Sequence, residues 1–229
     1  MRKHYPWLLF DADDTLFDYQ RAECLALERA FRSAGLDYAE TNLELYRRIN
    51  QGLWEALERQ EITSETLRVR RFELLLENLR LTYSPMQLSA AYLGHLAQCA
   101  ELIEGAADVL HSLAATCRLA IVTNGLQAVQ RSRLAHSSIR DTISDLIISE
   151  EIGAAKPSPA FFVTAFARLG NPAKSEALLV GDSLSSDMQG GIGYGIDTCW
   201  YNPTGQPRPG ALAITYEIAH LRDLLEIVT

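Results

Sequence analysis

Lysine is nearly missing from this chain: among 229 residues only Lys3, Lys156 and Lys174 carry an ammonium, and the formal net charge is −8. A protein that gains affinity by neutralising nucleic-acid phosphates needs a clustered excess of Lys and Arg, so polymeric nucleic acid is excluded as a partner. A small anionic substrate remains compatible if a metal ion supplies the positive charge. Cysteine is also sparse. Cys24, Cys99, Cys117 and Cys199 are scattered without a C-x-x-C pair, which argues against a disulfide framework or a zinc site and for reduced thiols in the cytoplasm. The five histidines, His4, His95, His111, His136 and His220, show no paired metal-ligand spacing and read as surface or packing residues. Long apolar runs are missing too: no stretch approaches a membrane-spanning helix. Trp7–Phe10 is too short for a signal-peptide core. The chain has no internal repeat and no low-complexity tract.

What is present is ordinary for a globular protein: 48% hydrophobic and 22% charged residues, enough to form the interior of one large domain or two modest ones. Trp7–Phe10 is a continuous apolar run that ends abruptly in acidic residues, the pattern of a buried parallel strand that empties into a site. Leu119–Val122 runs likewise into Thr123-Asn124-Gly125, Leu146–Ile148 into Ser149-Glu150-Glu151, and Ala177–Val180 into Gly181-Asp182-Ser183. Thr198–Tyr201 is a fifth expected strand. Helical patterns over Ala106–Ala115, Gln127–His136, Ser158–Leu169 and Asp187–Gly190 lie between them. This alternation predicts an α/β fold with a doubly wound parallel sheet, whose ligands gather at the carboxyl ends of the strands.

Residues 18–99 have a different texture. Amphipathic stretches at Ala22–Ala34, Glu40–Arg59, Ser64–Asn78 and Pro85–Ala97 predict a helical domain inserted after the first strand. Residues 1–17 and 100–229 then form the sheet domain. Asn202–Gly210, with three prolines, reads as a surface loop before a final helix from about Glu217.

Four segments carry chemistry. In Asp11-Ala12-Asp13-Asp14-Thr15, an extended segment puts residues i and i+2 on one face, so Asp11 and Asp13 can address one phosphoryl group. One carboxylate can attack phosphorus while the other, if protonated, delivers a proton to the leaving oxygen; the alternative is an acidic loop capping a helix. Thr123 offers a hydroxyl, and the turn through Asn124 and Gly125 offers backbone N–H groups, for phosphoryl oxygens, although Asn-Gly is also a routine turn dipeptide. Lys156 precedes a helical pattern with Pro157 suited to its first turn, where the ammonium can neutralise a nucleophile and the charge on a transferring phosphoryl group; a solvated surface lysine is the competing reading. Asp182 and Asp187 in Gly181-Asp182-Ser183-Leu184-Ser185-Ser186-Asp187 complete a hard oxygen cage suited to Mg²⁺, while Asp187 can equally be an acid in a helical first turn.

Together, in the order carboxylates, hydroxyl, lysine, carboxylates, these segments resemble the haloacid dehalogenase superfamily, whose phosphatase branch carries D-x-D-x-T, a Thr or Ser, a Lys and G-D-x-x-x-D. The resemblance implies Asp11 as nucleophile and metal ligand. Asp13 is implied as general acid and base that also meets the metal through its backbone carbonyl, Thr123 and Lys156 as phosphoryl holders, Asp182 as a ligand of Mg²⁺ (with Mn²⁺ as a substitute), and Asp187 as support for the metal site. It also implies that the helical insert is a cap over the substrate. Dehalogenases of the superfamily replace the second acid of D-x-D, so Asp13 favours phosphoryl transfer over C–Cl cleavage. DADDTLF, VTNGLQAVQ and ISEEIGAAKPSPAFF, with GDS and TCWYN, are similar to the bacterial pyrimidine 5′-nucleotidases of the superfamily. So are Asn50-Gln51-Gly52-Leu53-Trp54, Glu61-Ile62-Thr63-Ser64 and Arg71-Phe72. On that resemblance the substrate is a small phosphorylated metabolite, a pyrimidine nucleoside monophosphate, with Trp54 stacking on the base and Asn50 reading its edge; a core aromatic and a helix-surface amide are the competing readings. Asp14 stands where many superfamily phosphatases have Gly. A sugar-phosphate phosphatase or a phosphomutase fits the same motifs. A phospho-accepting signalling module fits less well, because its acceptor Asp follows a middle strand and lacks an acid two residues on. Gly190-Gly191-Ile192-Gly193-Tyr194-Gly195 misses G-x-G-x-x-G by one residue and reads as a helix C-cap and turn.

Overall fold

The computed structural model describes residues 4–59 and 61–228, so Lys3 lies outside the described residues. The chain forms two compact units, one of Met1–Asp18 with Ala100–Thr229 and one of Tyr19–Cys99.

The first unit is built on a six-stranded sheet in the order β3-β2-β1-β4-β5-β6. Its strands are β1 (Trp7–Phe10), β2 (Arg118–Thr123), β3 (Ile143–Ile148), β4 (Ala177–Gly181), β5 (Asp197–Tyr201) and β6 (Tyr216–Ile218), and every neighbouring pair is parallel. A parallel sheet is covered on both faces, and the strand sequences show why no alternation is visible. Leu8 and Phe10 of β1 join Leu119, Ile121, Leu178 and Val180 in one core. Trp7 and Leu9 join Ala120, Val122, Ala177 and Leu179 in the other. The central stretches Trp7–Phe10, Leu119–Val122 and Ala177–Val180 are thus apolar without a break because both of their faces are interior.

The helices of this unit are α5 (Ala106–Leu113), α6 (Gln127–His136), α7 (Ser149–Ile152), α8 (Pro159–Arg168), α9 (Gln189–Tyr194) and α10 (Leu224–Val228), after the four of the insert, α1 (Tyr19–Ser33), α2 (Glu40–Glu58), α3 (Ser64–Leu79) and α4 (Pro85–Leu96). In the helical unit Thr63 caps α3 by accepting from the Thr66 N–H (3.3 Å). Ser84 caps α4 by accepting from Gln87 (3.3 Å), with Pro85 in the first turn. Both are side-chain oxygens satisfying otherwise orphaned N–H groups. Phe31, Tyr46, Phe72 and Tyr92 are fully buried in this unit.

Several expectations are corrected. The chain around Glu217 is not helical: Tyr216, Glu217 and Ile218 pair with Cys199, Trp200 and Tyr201 as the edge strand β6, and the helix waits for Leu221, where Asp223 accepts from the His220 N–H (3.0 Å). Pro157 is not in the first turn of α8; that place belongs to Pro159, with Ser158 as the cap accepting from Ala160 (3.3 Å). The helix expected over Asp187–Gly190 is a π-helical turn, Leu184–Met188, followed by α9. Of the glycines after it, only Gly195 (φ 87°) is a left-handed C-cap. Gly190 and Gly191 are inside the helix because a Cβ on Gly190 would lie 2.8 Å from the Phe162 ring and one on Gly191 would overlap the Thr198 methyl. Close packing, rather than a turn, requires them.

Candidate active site

The site grows out of the sheet order. β1 lies between β2 and β4, with Phe10 abreast of Ile121 and Val180, so the residues following these three strands emerge side by side at the carboxyl edge, where the direction of strand order reverses. Asp11 and Asp182 follow β1 and β4, and Thr123 closes β2 beside them. The Asp11 backbone is pinned there by donating its N–H to the Val180 carbonyl (2.9 Å).

Lys156 reaches the same point from the loop between α7 and α8. Its position is fixed by Asn124: the Asn124 amide donates to the Lys156 carbonyl (2.9 Å) and accepts from the Lys156 N–H (2.8 Å). The side chain of Asn124 therefore holds the lysine segment in place through both ends of its amide. The Lys156 ammonium donates to Asp11 Oδ1 (2.6 Å), Asp187 Oδ1 (2.6 Å) and the Val122 carbonyl (2.7 Å), which uses all three of its N–H groups. Burial would lower its pKa, but the Asp11 and Asp187 charges outweigh that and hold it above the ordinary lysine value. It is not a solvated surface lysine, being 1% exposed.

Asp187 is fully buried. Its second oxygen accepts from the Ser183 N–H (3.2 Å), while Ser183 Oγ serves as cap for the π turn by accepting from Ser186 (3.2 Å). The glycine of Gly181-Asp182 has a packing cause: a Cβ there would fall on the Asp187 carboxylate. Asp182 Oδ1 accepts from Thr15 Oγ1 (3.2 Å), and its carbonyl accepts from the Trp200 indole N–H (2.9 Å). One carboxylate oxygen from each of Asp11, Asp182 and Asp187 lies within 4.8 Å of the others.

Three carboxylates this close repel. Burial, then Asp187 and Asp14, push Asp182 up to about 7. Burial, together with Asp187 and Asp182, pushes Asp11 well above the ordinary carboxylate range against the pull of Lys156. An all-oxygen, anionic donor set burdened by its own charge suits a hard divalent cation, which removes the penalty on every member. Thr123 is buried, its hydroxyl accepting from the Gly125 N–H (2.9 Å).

Asp13 faces another way. Its carboxylate accepts from Gln130 Nε2 (2.6 Å) and forms an ion pair with Arg133 Nη1, both on α6. The sequence reading missed Gln130, Arg133 and Thr15. The signal lay in α6, whose buried positions are Val129, Gln130 and Arg133: two of three inward residues are polar where an amphipathic helix should be apolar. Asp14 adopts φ 55°, the left-handed conformation that glycine takes most easily and Asp or Asn tolerate, which explains why Gly is a natural alternative at this position.

In the helical unit Asn50 is buried, not on the surface. Its amide donates to Glu23 (3.4 Å) and Tyr19 (3.3 Å) and accepts from Arg71 (3.2 Å). Arg47 closes the network on Glu23 (2.7 Å), and the Arg71 guanidinium stacks 5.0 Å from the Tyr92 ring centroid. Both polar atoms of Asn50 thus have protein partners within this unit, and the competing reading of a helix-surface amide does not describe it. Trp54, one turn further along α2, is half-buried.

Comparison with known proteins agrees with this geometry. The family model "Haloacid dehalogenase-like hydrolase" matches residues 8–201. The chain is 34% identical over 224 residues to pyrimidine 5′-nucleotidase YjjG of Escherichia coli, covering 98% of each protein. It is 34% identical to pyrimidine 5′-nucleotidase PynA of Streptococcus pneumoniae, over 97% of this chain and 94% of that one. A solved structure of the HAD-hydrolase YfnB of Bacillus subtilis, described as bound to magnesium, superposes with a TM-score of 0.93 at 36% identity over 99% of this chain and all of that one. With the strand order, the carboxylate cluster and these matches taken together, the chain belongs to the haloacid dehalogenase-like hydrolases.

Proposed function

We propose that this protein hydrolyses phosphomonoesters through a phospho-aspartyl intermediate on Asp11, with pyrimidine nucleoside 5′-monophosphates as its substrates. The observation that carries the reading is the Lys156 ammonium, bonded at once to Asp11 and Asp187 beside Asp182: a buried acid, a fixed cation and a convergent oxygen set at one sheet edge.

Asp11, Asp182 and Asp187 would hold Mg²⁺, with Mn²⁺ as substitute, and the ion when bound supplies positive charge to the phosphoryl oxygens and keeps the carboxylates ionised. An Asp11 oxygen attacks phosphorus and the P–O bond to the nucleoside breaks. The leaving oxygen takes a proton from Asp13, and the Thr123 loop and Lys156 offset the charge on the phosphoryl group. Once phosphorylated, Asp11 is a weaker acceptor, so the Lys156 donor it occupied is the one released to a phosphoryl oxygen. Asp13 then takes a proton from water, which attacks phosphorus; phosphate departs and the Asp11 carboxylate returns. The names of the two nucleotidase relatives support the substrate class. A glyceraldehyde 3-phosphate phosphatase of Methanopyrus kandleri, 31% identical over 96% of both chains, makes sugar phosphates the class to test against.

The test is phosphate release from nucleoside monophosphates and sugar phosphates with Mg²⁺ or Mn²⁺, with Asp11→Asn as the blank. UMP, dUMP and TMP are expected to lead. Dominance of sugar phosphates overturns the substrate class, and wild-type turnover by Asp11→Asn overturns the mechanism.

A further inference from the structure

We propose that Gln130 and Arg133 are positioning residues for the acid and base Asp13, and that the glycine of Thr123-Asn124-Gly125 exists to let Gln130 reach it. This rests on the phosphatase reading above and extends it to residues outside the four motifs.

The geometry is specific. Gln130 and Arg133 are three residues apart on α6 and so share one face, and each takes a different oxygen of the same carboxylate. Arg133 is fully buried and its guanidinium lies 4.5 Å from the Phe17 ring centroid. Phe17 belongs to the same turn as Asp13, since its carbonyl accepts from the Asp14 N–H (2.9 Å). The Asp13 side chain, by contrast, is 28% exposed. Its partners therefore hold it from the protein side and leave its open side to solvent, where a leaving oxygen or a water arrives. A partly exposed carboxylate on a short side chain has several rotamers; two donors fixed on a helix leave one. Burying a guanidinium is costly unless it is paired, and a hydrophobic residue would fill this space at less cost, which favours a functional reason for the pair.

Gly125 completes the device. Its φ is not positive, so no turn demands glycine; a Cβ there would overlap the Gln130 amide nitrogen and lie 2.9 Å from its amide carbon. The loop that offers N–H groups to phosphate and the helix that steers the acid are thus linked at one residue.

The consequence concerns protons alone. A substrate whose leaving group departs as a stable anion, such as p-nitrophenyl phosphate, needs no proton in the first step, whereas UMP does. The experiment measures kcat, KM and first-turnover product release on both substrates for the wild type, Gln130→Leu, Arg133→Met, Arg133→Lys, Gly125→Ala and the reference Asp13→Asn, with melting temperatures. Arg133→Met and Gln130→Leu are expected to lower kcat on UMP about 10- to 100-fold, a part of the roughly 10²–10⁴ that general acid–base catalysis supplies, with KM within about twofold. The first-turnover release of nitrophenolate should stay near wild type, giving a burst followed by slow phosphate release. Arg133→Lys should recover part of the loss, and Gly125→Ala should behave like Gln130→Leu. Equal losses on the two leaving groups in the first turnover, a rise in KM with kcat preserved, or wild-type kcat in folded Gln130→Leu and Arg133→Lys would overturn the assignment. If Arg133→Met does not fold, those two variants decide. Should the wild type release phosphate from neither substrate, or Asp13→Asn match it, the phosphatase reading itself fails, and that result is distinct from loss of the positioning role alone.

Discussion

Replacing Asp182 by Asn should make the metal-free protein more stable while removing its response to Mg²⁺. Asp182 is pushed up to about 7 in the folded protein by burial and by the Asp187 and Asp14 charges, against about 3.9 for an unperturbed aspartate. Between those values the folded state holds a proton that the unfolded chain has lost. Stability is therefore greatest below about pH 4 as far as this group is concerned, and falls as pH rises toward about 7. Each unit corresponds to about 1.36 kcal/mol, so the full difference is about 4 kcal/mol, and partial exposure of the side chain brings it to about 2–4 kcal/mol at pH 8. Asn keeps an oxygen to accept from Thr15 (3.2 Å in the parent) but carries no charge. In EDTA at pH 8, Asp182→Asn should melt roughly 5–10 °C above the parent, and the gap should close on acidification to about pH 4. With Mg²⁺ at about 100 times its dissociation constant the parent should gain about 2.7 kcal/mol, and the variant nothing. Differential scanning calorimetry across pH, with and without Mg²⁺, measures both. A variant less stable than the parent without metal at pH 8, or one that still gains from Mg²⁺, would refute the reasoning.

Lys156→Met should abolish turnover and lower stability by about 3–5 kcal/mol, because Asp11 and Asp187 are then buried without their cation; a melting temperature unchanged in EDTA would count against it. Gly191→Ala and Gly193→Ala should have opposite signs in urea titrations. The Gly191 Cβ would meet Thr198 and Leu179, costing about 1–3 kcal/mol, whereas nothing lies within 4 Å of the Gly193 Cβ and Ala there gains up to about 1 kcal/mol of helix propensity. Trp54→Ala should raise KM for UMP several-fold and leave that for p-nitrophenyl phosphate unchanged; equal KM effects on the two would remove base stacking from its role.

The sheet was legible because interior parallel strands need apolar residues at every position, and Trp7–Phe10, Leu119–Val122, Leu146–Ile148 and Ala177–Val180 all meet that need. The edge was not. Tyr216–Ile218 is three residues long, pairs on one side, and carries Glu217 outward; such a strand has no apolar run to announce it, and the nearby Leu221–Val228 pattern drew the expected helix start too early. The glycines after Asp187 misled for a related reason. Local propensity treats Gly-Gly as a helix end, whereas Gly190 and Gly191 are in a helix because Phe162 and Thr198 approach from elsewhere in the chain, and a single sequence does not display that approach.

Within the site the same division holds. Asp11 and Asp182 could be read because each directly follows an apolar strand, where unpaired charge is otherwise expensive, and Lys156 and Asp187 because they complete the same four-segment order. What escaped were contacts that cross between motifs. Asn124 reads as a turn residue in the sequence, yet its amide grips both backbone groups of Lys156, and the helical pattern Gln127–His136 assigned no role to Gln130 or Arg133. Yet α6 presents only ten residues, and burying Gln130 and Arg133 among them forgoes apolar burial that Leu or Met would supply at about 25 cal/mol per Å². On the proposal above, those positions turn inward to face Asp13. A polar residue on the inward face of a short helix, next to a loop proposed to hold the phosphoryl group, is therefore a pointer to the group it faces, and in this chain that group is the carboxylate that the proposed reaction uses twice.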